Sequence, residues 1–178
     1  MNYNLSNFEF RLTCEDDWEI LKAIRLQSLF DSPDAFTATY ATTEKYHEKE
    51  WRNRAAQRTN NQYILAIHNA RAVGIVGGTL NSELEFNVIA MWVNPLFRGS
   101  GVADHLIVAV KKLAISKGHH RIVLSVSDHN LHAKNLYLKH GFQFISNLDG
   151  ISLCSDTTDT TDTKSQKMEC FIKGIDLD

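Results

Sequence analysis

The chain reads as an α+β protein, a single domain built on a mixed, mostly antiparallel sheet with helices packed against it. Three observations carry this reading. Between residues 63 and 93, three runs rich in β-branched side chains follow one another across short polar breaks, the pattern of an antiparallel meander. A periodic helix and another short strand come next, and a whole helix between two strands favours a parallel pair. With 178 residues, 43% of them apolar, the chain has the length for one core.

The elements follow in order. Residues 8–12 alternate apolar and polar, as a half-buried strand does. Asp16 and Asp17 then precede Trp18, Leu21, Ile24, Arg25 and Leu29 at spacings of three to four, predicting a first helix that ends near Ser32-Pro33. The stretch 43–58 is dense in Glu, Lys and Arg around Tyr46, His47, Trp51 and Ala55, and predicts a second, mostly solvated helix with a narrow aromatic stripe. The meander runs over 63–67, 72–80 and 84–93, with breaks at Asn69-Ala70 and Asn81-Ser82. Asn94-Pro95 must end it, because proline cannot continue a central strand.

Beyond the proline, Val102, Leu106, Ala109, Val110, Leu113 and Ala114 form a helical stripe that Lys117-Gly118 terminates. Residues 121–126 predict a short buried strand. Ala133, Leu136, Tyr137 and His140 repeat the helical spacing before Gly141, and 142–145 start a further strand with 168–172 returning beside it. The polar repeat SDTTDTTDTKS at 155–165 has nothing to bury and is expected to form a flexible polar loop.

Charge and composition exclude several classes. The balance of 19 Lys+Arg against 21 Asp+Glu, net −2 with a pI near 6.4, lacks the basic footprint of a nucleic-acid binder. No apolar run approaches the ~18 residues of a membrane span. The opening MNYNLSNFEFR lacks the order of a secretory signal, so the expected location is cytoplasmic. The cysteines Cys14, Cys154 and Cys170 are odd in number, lack a CxxC pair and read as reduced thiols, and the eight histidines show no metal-ligand spacing.

The most informative segment is 91–103, MWVNPLFRGSGVA, which sets a strand, a glycine-containing turn and a helix N-terminus in succession. The turn's amides have no strand partner, and the first helical turn leaves more donors open; an anion completes the set. Gly99 and Gly101 allow close approach, the helix dipole adds roughly 0.3–1 kcal/mol, and Arg98 could add a charged fork. There is no GxxxxGK[ST], and no GxGxxG opening a βαβ unit, so neither common nucleotide loop fits.

What remains resembles the GNAT superfamily of N-acetyltransferases. Arg98-Gly99-Ser100-Gly101-Val102-Ala103 matches its [QR]-x-x-G-x-[GA] signature, and Asn130-x-x-Ala133-x-x-Leu136-Tyr137-x-x-x-Gly141-Phe142 matches its second block, in the right order and at the right separation. The resemblance implies a GNAT-like acyl-CoA N-acyltransferase fold, its sheet splayed near Val93, with acetyl-CoA as cosubstrate in the cleft. In that scheme the amides from Ser100 to Ala103 hold the pyrophosphate, and backbone groups at Met91, Trp92 and Val93 pair with the pantetheine arm. Asn130 caps its helix, contacts the same arm, or does both. Tyr137 protonates the departing thiolate. Residues 1–60 look like the acceptor-side helices and 61–145 like the cofactor-binding core. The insert at 155–165 departs from the family pattern.

The implied reaction is direct transfer of acetyl to a primary amine of a small molecule or peptide, through a tetrahedral intermediate. No cysteine lies in either block to form an acyl-enzyme. An alkyl amine of pKa about 10.4 must shed a proton first. Counting odd positions along an unbulged strand puts Glu85 on the face of Met91 and Val93, which makes it the candidate base, with Glu83 and Glu44 as fallbacks. A non-catalytic CoA-binding module and a different acyl-CoA donor stay open as alternatives. Homodimers are common among similar proteins.

Overall fold

The computed structural model describes residues 4–145 and 165–172. Its strands are β1 (Phe8–Leu12), β2 (Gln62–His68), β3 (Arg71–Leu80), β4 (Phe86–Val93), β5 (Arg121–Ser127), β6 (Gln143–Phe144) and β7 (Ser165–Phe171). The helices are α1 (Trp18–Asp31), α2 (Tyr40–Thr43), α3 (Glu48–Ala55), α4 (Val102–Ser116) and α5 (Leu131–Lys139). The strands form one sheet in the order β1-β2-β3-β4-β5-β7-β6, antiparallel at every pairing except the parallel β4/β5. β7 lies beside β6, as its alternation suggested, and also inserts between β6 and β5.

Each face of the sheet buries its own core. Ile64, Ala66, Val76, Phe86 and Val88 meet Val102, Leu106, Ile107 and Val110 of α4 on one side. On the other, Tyr63, Leu65, Ile67 and Ile75 meet Leu21 and Ile24 of α1 and Trp51 and Ala55 of α3. Strand alternation thus sends neighbouring residues of β2 into different cores. The start of α1 is fastened to β1 by Asp17, whose carboxylate takes both ends of the Arg11 guanidinium at 2.6 and 2.9 Å and the Cys14 amide at 2.8 Å. Those bonds, the Arg11 fork foremost, hold the Asp17 pKa at about 2 despite its burial.

Several sequence expectations need correction. The helix expected over 43–58 is shorter, α3 over Glu48–Ala55, and the separate one-turn α2 ends at Thr43, because a fresh N-terminus forms at His47: its amide donates to Glu50 Oε2 at 2.9 Å. The β2–β3 hairpin has the expected Asn69-Ala70 break, both residues left-handed. The β3–β4 break spans Asn81 to Glu85 instead of two residues, closed by Asn81 Oδ1 accepting from the amides of Glu83 and Glu85. The expected flexible loop at 155–165 lies outside the described residues, apart from Ser165, which begins β7.

Two irregularities of β4 create the functional cleft. It pairs with β5 only at Phe86/Ile122 and Asn87/Val123, so the splay expected near Val93 already begins at Val88 and runs through Val93. Against β3, the register passes from Ile75/Trp92 to Gly77/Ile89, which leaves Ala90 and Met91 facing Val76 alone. This is a β-bulge, with Ala90 at φ +57°. It exchanges the faces: Phe86 and Val88 join the α4-side core, Ala90 and Trp92 the α1/α3-side core, and Val93 returns to the α4 side. Glu85 therefore does not share a face with Met91 and Val93.

Candidate active site

A cavity of about 1280 Å³ fills the V, with β4 residues 88–93 along one wall and Ser125 to Ser127 at the end of β5 along the other. One end is closed by the loop before α4 and by α5, the other by residues of α1, α3 and the loop after α1.

The loop is built by local bonds. Asn94 Oδ1 accepts the Leu96 amide at 3.0 Å and the Asn94 carbonyl accepts the Phe97 amide at 2.8 Å, folding Pro95–Phe97 into a single 3-10 turn. The chain then bends twice through left-handed glycines, Gly99 at φ +78° and Gly101 at φ +88°, conformations that any side chain would strain. The amides of Arg98 and Ser100 are spent on Pro95 and Phe97 carbonyls, at 3.3 and 3.4 Å. By contrast, the amides of Gly99, Gly101, Val102, Ala103 and Asp104 have no acceptor among the described residues, and no side chain caps α4. Five main-chain donors at the positive end of a 15-residue helix fit a diphosphate.

The Arg98 side chain does something other than present a free fork. Its Nε donates to the Val93 carbonyl at 3.0 Å and a terminal nitrogen ion-pairs with Asp31 at 2.7 Å, tying the loop to the ends of β4 and α1. Asp31 Oδ2 also accepts from Trp92 Nε1 and Ser32 Oγ, each at 2.8 Å. The indole bond and then the other donors hold the Asp31 pKa below its ordinary value. Sequence reasoning missed Asp31, since nothing local announces partners 61 and 67 residues away.

Met91, Trp92 and Val93 all line the cavity on the β4 edge that β5 leaves unpaired. Asn130 caps α5, accepting the Ala133 amide at 3.1 Å, and lines the cavity as well. Tyr137 reaches the same space from α5; it is 7% exposed and packs on Phe142. Burial pushes its phenol pKa far above the ordinary value, so the group keeps its proton at any physiological pH. Asp104 faces the cavity from the first turn of α4, ion-paired with Lys139 at 2.6 Å and hydrogen-bonded to His140 Nε2 at 2.8 Å.

Glu85 does not line the cavity. It ion-pairs with Arg121 and accepts from Asn81 Nδ2 at 2.9 Å, and these bonds, Asn81's foremost, lower its pKa. A carboxylate so engaged is a weak base. Glu83 and Glu44 do not line the cavity either. The far end instead carries Arg25 and Arg54 with Thr43, Trp51 and Tyr63. Arg25 had a sequence signal, a charge on the apolar stripe of its helix; Arg54 sits in a run of charges and had none. Among the described residues no cluster of His, Cys, Asp or Glu could hold a metal ion, and no helix is long and apolar enough to cross a membrane.

Comparison with known proteins agrees with this geometry. The fold resembles PaiA N-acetyltransferase from Thermoplasma acidophilum in complex with coenzyme A (TM-score 0.66, 18% identity, 92% of this chain and 98% of that one). It also resembles yncA from Salmonella typhimurium with its cofactor acetyl-CoA (0.71, 13%, 96% of each). A third likeness is an acetyltransferase of the GNAT family from Streptococcus pneumoniae (0.68, 20%, 93% and 99%). No curated protein sequence matches. A family model does match residues 26–142, a span that takes in the end of α1, strands β2 to β5 with the V between β4 and β5, the glycine loop and α5: the chain belongs to the acetyltransferase (GNAT) family.

Proposed function

We propose that the protein moves an acetyl group from acetyl-CoA to a primary amine of a small molecule or peptide, by direct attack and without an acyl-enzyme. The observation that carries this reading is the set of unclaimed amides from Gly99 to Asp104 at one end of a cavity whose other end is lined by a different set of donors. Acetyl-CoA, when bound, supplies the activated thioester. Gly99 to Asp104 hold its diphosphate, and the free β4 edge over Met91–Val93 lies alongside the pantetheine arm. Asn130 keeps α5 in place, and Tyr137 presents its retained proton to the leaving sulfur.

The described residues at the acceptor end include no carboxylate, and in this reading the amine gives up its proton to water. That same feature favours a second reading, a CoA-binding module without turnover. We place the protein in the cytoplasm, in keeping with the free thiols of Cys14 and Cys170.

Two measurements test the proposal. Acetyl-CoA at 100 times its dissociation constant stabilises the fold by roughly 2.7 kcal/mol, a melting shift of about 5–10 °C. No shift removes the cofactor site. CoA release across a broad amine panel then separates the readings, because a shift without release on any acceptor leaves the binding module.

A further inference from the structure

We propose that the acceptor carries an anionic group, a carboxylate or a phosphate, held by Arg25 and Arg54 at the α1/α3 end of the cavity. This rests on the transferase reading and names the substrate class that it leaves open. Five other arginines of the described residues, Arg11, Arg52, Arg58, Arg98 and Arg121, each have a carboxylate within 4 Å. Arg71 is exposed to solvent. Arg25 and Arg54 are half-buried in the cavity wall and have no such partner among the described residues.

What they do contact leaves their charge unanswered. Arg25 donates to Ser28 Oγ at 3.3 Å and lies 4.6 Å from the centre of the Phe36 ring; Arg54 lies 4.5 Å from that of Tyr46. Aromatic faces orient a guanidinium and leave edge donors for a ligand. Burial foremost, and to a smaller degree the neighbouring charge of Arg54, lower the pKa of Arg25.

Trp51 and Thr43 complete this wall, with Trp51 Nε1 and Thr43 Oγ1 buried beneath its surface. The donors that the wall offers are the two guanidinium groups, which can only donate. Two such cations in one wall, with no acidic group beside them among the described residues, call for an oxyanion. Among the described lining residues the sole carboxylate, Asp104, is at the opposite end and already bound by Lys139 and His140. A polycationic amine would meet two like charges there. An amine bearing a carboxylate or phosphate would neutralise them while its nitrogen points along the cavity.

Matched pairs of acceptors test this by CoA release: the amino acids against their amides, and phosphoethanolamine against ethanolamine, with spermidine as the cationic probe. The anionic member of the carboxylate or the phosphate pair should show a kcat/KM about 10- to 100-fold higher, the effect of charged hydrogen bonds. Which pair shows it identifies the anion. Arg54→Gln should bring that ratio close to one mainly through KM, and Arg54→Lys should restore part of it. Arg25→Gln is read beside its melting temperature, since that site also packs against Phe36. Equal rates within both pairs, or a preference for spermidine, overturn the inference.

A readout without turnover separates the two proposals. Calorimetry on the CoA-loaded protein compares N-acetyl amino acids with their amides, and N-acetyl-phosphoethanolamine with N-acetylethanolamine. Anion-selective binding that Arg54→Gln abolishes, with no CoA release on any amine, keeps the anion site and ends the transferase reading. Release without selectivity does the reverse. Failure to bind any anionic probe, with no release, overturns both.

Discussion

The two ends of the cavity draw their hydrogen-bond donors from different sources. At the loop end the donors belong to the main chain, five amides within residues 99–104 aimed by two glycines and a helix start. At the far end they belong to side chains drawn from α1, α2 and α3. A main-chain site depends on local conformation, so a short stretch of sequence specifies it and its pattern is shared wherever the same ligand is held. A side-chain site depends on which helices the fold brings together. Each of its residues can change alone, which suits the role of acceptor selection proposed for it.

The sharpest way to break this comparison is at the loop. Gly101→Asp should abolish the acetyl-CoA melting shift: a side chain at φ +88° costs roughly 1–2 kcal/mol in strain, and its carboxylate occupies the field meant for phosphate. A preserved shift would show that the diphosphate sits elsewhere. Tyr137→Phe should lower kcat on the order of 10²-fold, with acetyl-CoA affinity little changed. Equal activity removes the tyrosine from the chemistry.

Away from both ends, Asp17→Asn should cost about 2 kcal/mol of stability, from the drop of its pKa to about 2. A carboxylate with a depressed native pKa contributes fully above its unfolded pKa near 4 and loses that contribution as pH falls toward 2, so the variant and the parent should converge in acid. Urea titrations at pH 7 and pH 2.5 check this, and kcat/KM should not follow. The smallest effects concern the proton of the amine. With no carboxylate among the described residues of the acceptor end, kcat/KM should climb about tenfold per pH unit up to the pKa of the acceptor itself. Glu85→Gln should leave that profile within about threefold of the parent. A plateau that disappears in the variant would restore Glu85 as the base.

This contrast also explains what could be read ahead of the structure. The strands, α4 and α5 are legible because their burial is periodic, and the loop is legible because Gly99 and Gly101 are the only residue type suited to its bends. Glu85 was misplaced by one residue's worth of backbone: the bulge at Ala90 reverses the alternation on which its assignment rested. No residue type forces that bulge, and alanine tolerates φ +57° poorly, so nothing in the strand's composition announced it. The late start of α3 turned on a hydrogen bond between His47 and Glu50 inside a run of alternating charges. Asp31 and Arg54 acquire meaning only from residues far away in the chain.

Asp31 has a consequence for redesign. A single carboxylate oxygen receives the indole of Trp92, the guanidinium of Arg98 and the hydroxyl of Ser32, so the last residue of α1 is where the proposed acceptor half is bolted to β4 and the glycine loop. A chimera that imports another protein's substrate preference should therefore splice after this aspartate, within the segment that follows α1, and rejoin before β2. A junction placed earlier would import new helices at the expense of the phosphate loop's anchor.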